Sequence, residues 1–63
     1  MAIGERIRFA RGTRRMKQSD LAKRARMAPE QLNRYEMGRS RPSVNTLSRI
    51  AHALGVSLGE LLD

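Results

Sequence analysis

The sequence predicts an all-α fold, a compact arrangement of five short helices forming a single domain over residues 1–63, and three observations carry that prediction. No stretch alternates apolar and polar residues with the two-residue period of a strand. Apolar residues recur instead at helical spacing, most clearly as Leu47, Ile50, Ala51 and Leu54. Between these stripes stand residues that interrupt helices: Pro29, Gly38, Pro42 and Gly55.

Helix 1 is predicted over about Ile3 to Arg14, where Ile3, Ile7, Ala10 and Arg14 follow helical spacing and leave a narrow apolar stripe. Arg6, Arg8, Arg11, Arg14 and Arg15 crowd the rest of it. Their mutual repulsion destabilises an isolated helix and implies an anionic partner that offsets it. Phe9 lies beside the stripe and is expected to be a partly buried edge residue. Gly12 falls inside or near the end of the helix, at a cost of about 1 kcal/mol relative to alanine. Met16 is expected to pack inward as the chain turns.

Helix 2 begins around Gln18, with Asp20 complementing the dipole in its first turn and Leu21, Ala22 and Ala25 on one face. Lys17 at the N-cap is a poor capping residue, and a phosphate contact explains a long cation there better. The chain breaks at Arg26-Met27-Ala28, where Pro29 disfavours helical geometry for Ala28 and suits the first turn of the next helix. Helix 3 turns Leu32 and Tyr35 inward, leaving Glu30, Asn33 and Arg34 pointing away. Two helices joined this tightly must cross steeply. That is the geometry in which the second helix of a pair can enter a DNA major groove.

The segment MGRSRPS is a loop: Gly38 suits a positive φ at the end of helix 3, Pro42 blocks continuation, and Ser43 is placed to cap helix 4. Helix 4, about Ser43 to Leu54, buries the stripe already named, and Gly55 closes it. Ser57-Leu58-Gly59-Glu60 reads as a capping box opening helix 5, with Leu58, Leu61 and Leu62 inward. The chain stops one residue after Leu62, which fits either a complete small protein or a domain cut from a longer one.

Charge narrows the function. Thirteen Lys and Arg against six Asp and Glu give +7, and residues 1–41 hold twelve of the basic and four of the acidic residues. A one-sided positive field is the footprint of a polyanion partner. An acidic membrane surface competes poorly, since no segment joins that charge to a broad apolar face. No apolar run approaches the roughly 20 residues of a membrane span, and MAIGERIR lacks a signal peptide's apolar core, so a cytoplasmic protein is expected. There is no cysteine and one histidine, His52, which excludes disulfides and thiolate metal sites and leaves no cofactor or metal expected. No catalytic set or glycine-rich phosphate loop is present, so an enzyme is not expected, and His52 reads as a surface residue of helix 4.

The pieces GERIRFAR, QSDLA, LNRYEMGRSRPS and IAHALGVSLGELL stand in register without insertion, and over residues 3–62 the chain resembles the DNA-binding domain of the Xre/Cro/phage-repressor family. The resemblance implies a lambda-repressor-like fold with helices 2 and 3, about residues 18–36, forming the helix-turn-helix. It implies that Gln18 grips a DNA phosphate and buttresses helix 3. Arg11 and Glu36 match a pair tying helix 1 to the end of helix 3. Ala28, Pro29, Glu30 and Arg34 match positions that touch base edges, while Arg39, Ser40 and Arg41 match a phosphate-contacting loop with Asn45 close by.

Three departures from the family pattern bear on this. Arg26 sits where a turn glycine is usual, and positive φ at a non-glycine residue costs on the order of 1 kcal/mol. Ala28 replaces the usual Ser or Thr cap, and Pro29 occupies a slot that often holds a hydrogen-bonding side chain. Pro29 can offer apolar contact alone, for instance to a thymine methyl.

The expected mechanism separates positioning from reading. Lys17, Gln18, Arg39, Arg41, Asn45 and the backbone around Ser40 neutralise phosphates, with Arg15, Lys23 and Arg26 adding to the field at longer range. Arg34 suits bidentate contact with guanine and Asn33 an adenine. For Glu30 two readings stand together: acceptance from a cytosine amino group, or dipole complementation and pairing with Arg34. The expected partners are operator double-stranded DNA and a second copy, as a two-fold dimer on a pseudo-palindromic site, and the family resemblance implies helix 5 and the Gly55–Leu58 corner as the dimer surface. The expected role is a transcriptional regulator, most simply a repressor, bacterial or phage-encoded and nucleoid-associated. The alternative is a DNA-binding antitoxin with an added protein partner, hinted at by Phe9 and Met37.

Overall fold

In the computed structural model, which describes residues 2–62, α1 spans Ile3–Thr13, α2 Gln18–Arg24, α3 Pro29–Glu36, α4 Val44–Leu54 and α5 Leu58–Leu61. No strand occurs among the described residues. α1 packs against α3, α4 and α5, and α2 packs against both α3 and α4. The centre is filled by Ile7, Leu21, Leu32, Leu47, Ile50 and Leu61, each essentially removed from solvent. Burial of side chains this size contributes about 1.5–3 kcal/mol apiece. Met16 packs against this core from its edge.

Each of the first four helices ends in the same backbone device. The amide after the left-handed residue reaches back five positions: Met16 to Arg11 O (3.1 Å), Met27 to Ala22 O (2.9 Å), Arg39 to Arg34 O (2.9 Å) and Val56 to Ala51 O (3.0 Å). This satisfies carbonyls that the helix leaves open and needs one residue with positive φ. Gly38 and Gly55, both at φ 75°, fill that place after α3 and α4. After α1 and α2 it is filled by Arg15 (φ 53°) and Arg26 (φ 60°), each at a cost on the order of 1 kcal/mol. Arg26 has the strain its sequence position implies; Arg15 has the same strain with no missing glycine to mark it.

Helix starts are less uniform. Ser43 caps α4, its Oγ accepting from Thr46 N at 3.1 Å. The capping box expected at Ser57 does not form: its side chain makes no capping bond, and its backbone carbonyl accepts from Glu60 N at 3.1 Å. The turn is closed by the backbone instead, within a helix of only four residues. Leu61 is buried, while Leu58 and Leu62 are partly covered. Phe9 is also corrected, being 65% exposed. It stands at the mouth of a groove with Ala10, Val56 and Leu61, and α5 is too short to roof it.

α1 and the end of α3 approach each other closely at Gly4. A Cβ added at Gly4 would collide with the carbonyl of Tyr35 and lie 2.8 Å from that of Glu36. Backbone on both sides leaves nothing able to yield. Gly4→Ala should therefore lower stability by about 2–3 kcal/mol in urea unfolding, as forced overpacking does. Arg26→Gly should act oppositely, stabilising by about 0.5–1 kcal/mol through release of the left-handed strain.

Candidate nucleic-acid interface

The start of α3 is set by backbone chemistry. Ala28 is extended (φ −73°, ψ 142°) with no side-chain cap, and Pro29 occupies the first turn, where its missing amide leaves one donor fewer to satisfy. Leu32 (0% exposed) and Tyr35 (8%) anchor the inner face. Pro29, Glu30, Asn33 and Arg34 consequently face solvent. Eight residues make a helix about 12 Å long, comparable with the width of a B-DNA major groove.

The end of α3 is fixed by charge. Glu36 is 4% exposed, and Arg11 grips it with both branches of its guanidinium: Nε donates to Oε2 at 2.8 Å and Nη2 to Oε1 at 2.9 Å. Arg11 Nη1 also donates to Met16 O at 3.0 Å, so one side chain joins α1, the α1–α2 turn and α3. Gln18 Nε2 completes the set, donating to Glu36 Oε1 at 3.1 Å and to Asn33 Oδ1 at 3.2 Å. Gln18 thus orients the Asn33 amide while one lone pair of that oxygen and both amide hydrogens remain available. Two further bonds stiffen the helix: Gln31 Nε2 donates to the Tyr35 hydroxyl at 2.8 Å, and Arg34 Nη1 to Gln31 Oε1 at 3.5 Å.

The outward face forms an open concavity lined by Gln18, Pro29, Glu30, Asn33, Arg34 and Arg39. Arg39, expected on a phosphate loop, therefore stands beside the residues expected to meet bases. Arg34 turns to Gln31, so the expected alternative of a Glu30–Arg34 pair is not formed; Glu30 lies in the first turn of α3, where a negative charge suits the helix dipole. Ser40 and Arg41 line an adjoining hollow, against Gly4 and Tyr35, which Arg39 shares with the concavity, and Asn45 lies exposed in the first turn of α4. Lys17 is exposed before α2, its amide donating to Asp20 Oδ2 at 3.4 Å. Ala28 is exposed immediately before Pro29 and does not line the concavity. Arg15 and Arg26, expected to add to the field, line other hollows altogether. Sequence reasoning misses Gln31 and Gly4; the position of Gln31 at i−4 to Tyr35 and i−3 to Arg34 is the available signal for the first. Among the described residues no cluster of His, Cys, Asp and Glu could hold a metal ion, and no helix is long and apolar enough to cross a membrane.

With this geometry in hand, comparison with known proteins is specific. The helix-turn-helix family model matches residues 7–61. The chain is 38% identical over 58 residues to multiprotein-bridging factor 1 of Debaryomyces hansenii, covering 92% of this chain and 39% of that protein. It is 34% identical over 62 residues to the immunity repressor protein of Bacillus phage phi105, covering 98% and 43%. The chain thus spans about two fifths of the length of these relatives. Among solved structures, SinR, the master regulator for biofilm formation, determined in complex with DNA, superposes with a TM-score of 0.91 at 34% identity over 97% of this chain and 98% of that one. The chain belongs to the helix-turn-helix family of Xre/Cro type.

Proposed function

We propose that this chain is a sequence-specific DNA-binding domain of a transcriptional regulator, most simply a repressor, that lays α3 in the major groove. The observation that carries this reading is the concavity joining the exposed face of α3 to Gln18 and Arg39. It brings hydrogen-bonding side chains and cations together on a helix of groove-fitting length. The family membership supports it, as does the likeness to a regulator solved on DNA. Base contact falls to Ala28, Pro29, Glu30, Asn33 and Arg34. Phosphates are held by Lys17, Gln18, Arg39, Ser40, Arg41 and Asn45. Glu30, free of Arg34, serves as an acceptor toward a cytosine amino group.

One such helix reads few base pairs, so the domain acts as a two-fold dimer on inverted half-sites about one helical turn apart. The Gly55–Leu58 corner is the proposed contact, with Val56 and Leu58 incompletely covered. The likeness to a phage immunity repressor and to SinR, a regulator solved on DNA, favours this role over an antitoxin.

Sites selected from random duplexes should yield an inverted repeat, and anisotropy on those sites should then separate the two roles. Arg34→Ala should lose roughly 1–3 kcal/mol on the selected site and relax preference at one base pair. Lys17→Ala should weaken selected and random DNA alike and lower the salt slope by about one unit. Equal losses from Arg34→Ala on both DNAs would exclude base reading by that residue.

A further inference from the structure

The two arginines that hold left-handed turns meet on one surface. Arg15 lines a hollow with Arg14, Asp20, Arg24 and His52, and Arg26 lines one with Arg24, Arg49 and His52. Arg24 and His52 belong to both, so the hollows join into a single belt across the C-terminal end of α2 and the outer side of α4. The belt carries five arginines against one acid, Asp20, and shares no lining residue with the concavity of α3. Arg14 is engaged within its own helix end, with Nη1 on Ala10 O and Thr13 Oγ1, both at 3.2 Å. Arg15, Arg24, Arg26 and Arg49 have no ion-pair partner among the described residues.

The backbone gives independent weight to this placement. Four helix ends use one device, and two of them fill it with glycine, the residue that fits without strain. The other two use arginine, and these are the only non-glycine residues with positive φ among the described residues. Both strained arginines line the belt. Strain held at two separate turns, each delivering a guanidinium to the same surface, points to a function for that surface. Arginine forks match phosphate oxygens bidentately, and none of the exposed large apolar residues, Phe9, Met37 or Val44, lines the belt to anchor a protein partner.

We propose that this belt is a second binding site for the sugar-phosphate backbone of nucleic acid, so that one domain can hold two DNA segments at once. The site is sequence-independent, built from charge alone. It stands on the belt's own residues and survives even where the reading by α3 fails.

The test is an NMR titration of the 15N-labelled chain with a mixed-sequence duplex of about 12 base pairs, at low salt where phosphate binding is strongest. Two groups of resonances should move, one along α3 and one around Arg15, Arg24, Arg26 and Arg49. Arg24→Gln with Arg49→Gln should raise the duplex concentration that saturates the second group, by roughly a few-fold for each phosphate no longer held, and leave the first unchanged. Arg34→Ala with Arg39→Ala should do the reverse, which keeps failure of the proposed function distinct from failure of this site. Arg26→Gly supplies a signature that a purely structural role lacks: a higher thermal midpoint together with weaker binding at the belt. The proposal is overturned by a belt that does not respond to duplex, by belt shifts that vanish with the α3 variant, or by Arg26→Gly leaving belt binding intact. A poly-glutamate peptide that saturates the belt at lower concentration than the duplex also overturns it, assigning the surface to an acidic protein segment.

Discussion

Glu36 sits at the last turn of α3 almost out of reach of water, and three donors from two side chains compensate its charge. A buried carboxylate is unfavourable unless it is paired and fully hydrogen-bonded, so the position of α3 depends on Arg11 and Gln18 arriving together. Arg11 comes from α1 and Gln18 opens α2. The backbone beside Glu36 presses on Gly4, at the start of α1, so that the same few ångströms fix the fold from both sides. Through Gln18 the network continues outward to Asn33, on the exposed face of the helix. The stability of the core and the orientation of the proposed reading surface are therefore one problem.

Cationic residues divide accordingly. Arg11 is consumed by structure, one bidentate pair that holds helices rather than ligand. Arg34 and Arg39 stand with the polar face of α3. Arg24, Arg26 and Arg49 lie elsewhere, and Arg26, like Arg15, is kept where glycine would be less strained. A net charge of +7 thus does not describe a uniform cloud. Within it stand one structural clasp and two separate arginine-bearing surfaces.

Much of the fold is legible in the sequence because its boundaries are written in local chemistry. Pro29, Gly38, Ser43 and Gly55 mark helix ends through backbone rules that need no neighbours, and the stripe from Leu47 to Leu54 shows its buried face by spacing alone. What escapes is non-local. Gly4 lies in a sequence that gives no hint of the carbonyls it will meet, since those belong to a helix some thirty residues on. Phe9 reads as half-covered because it lies beside the apolar stripe of α1, but cover has to come from α5, which is one turn long. The left-handed turn at Arg15 is hidden because no glycine marks it. At the site, the type and spacing of residues indicate which side chains leave the core, whereas the place of Arg39 between the face of Asn33 and Arg34 and the hollow of Ser40 and Arg41 requires the loop's path.

The most direct test of the clasp is a double-mutant cycle on Arg11→Met and Glu36→Gln, read by urea unfolding at low temperature, where the weakened variants remain folded. If Glu36 is held as described, each single change leaves a stranded polar group, and the double change should recover a coupling of about 2 kcal/mol. Losses that add to within about 0.5 kcal/mol would contradict the account, because two groups that do not depend on each other cannot be what fixes α3.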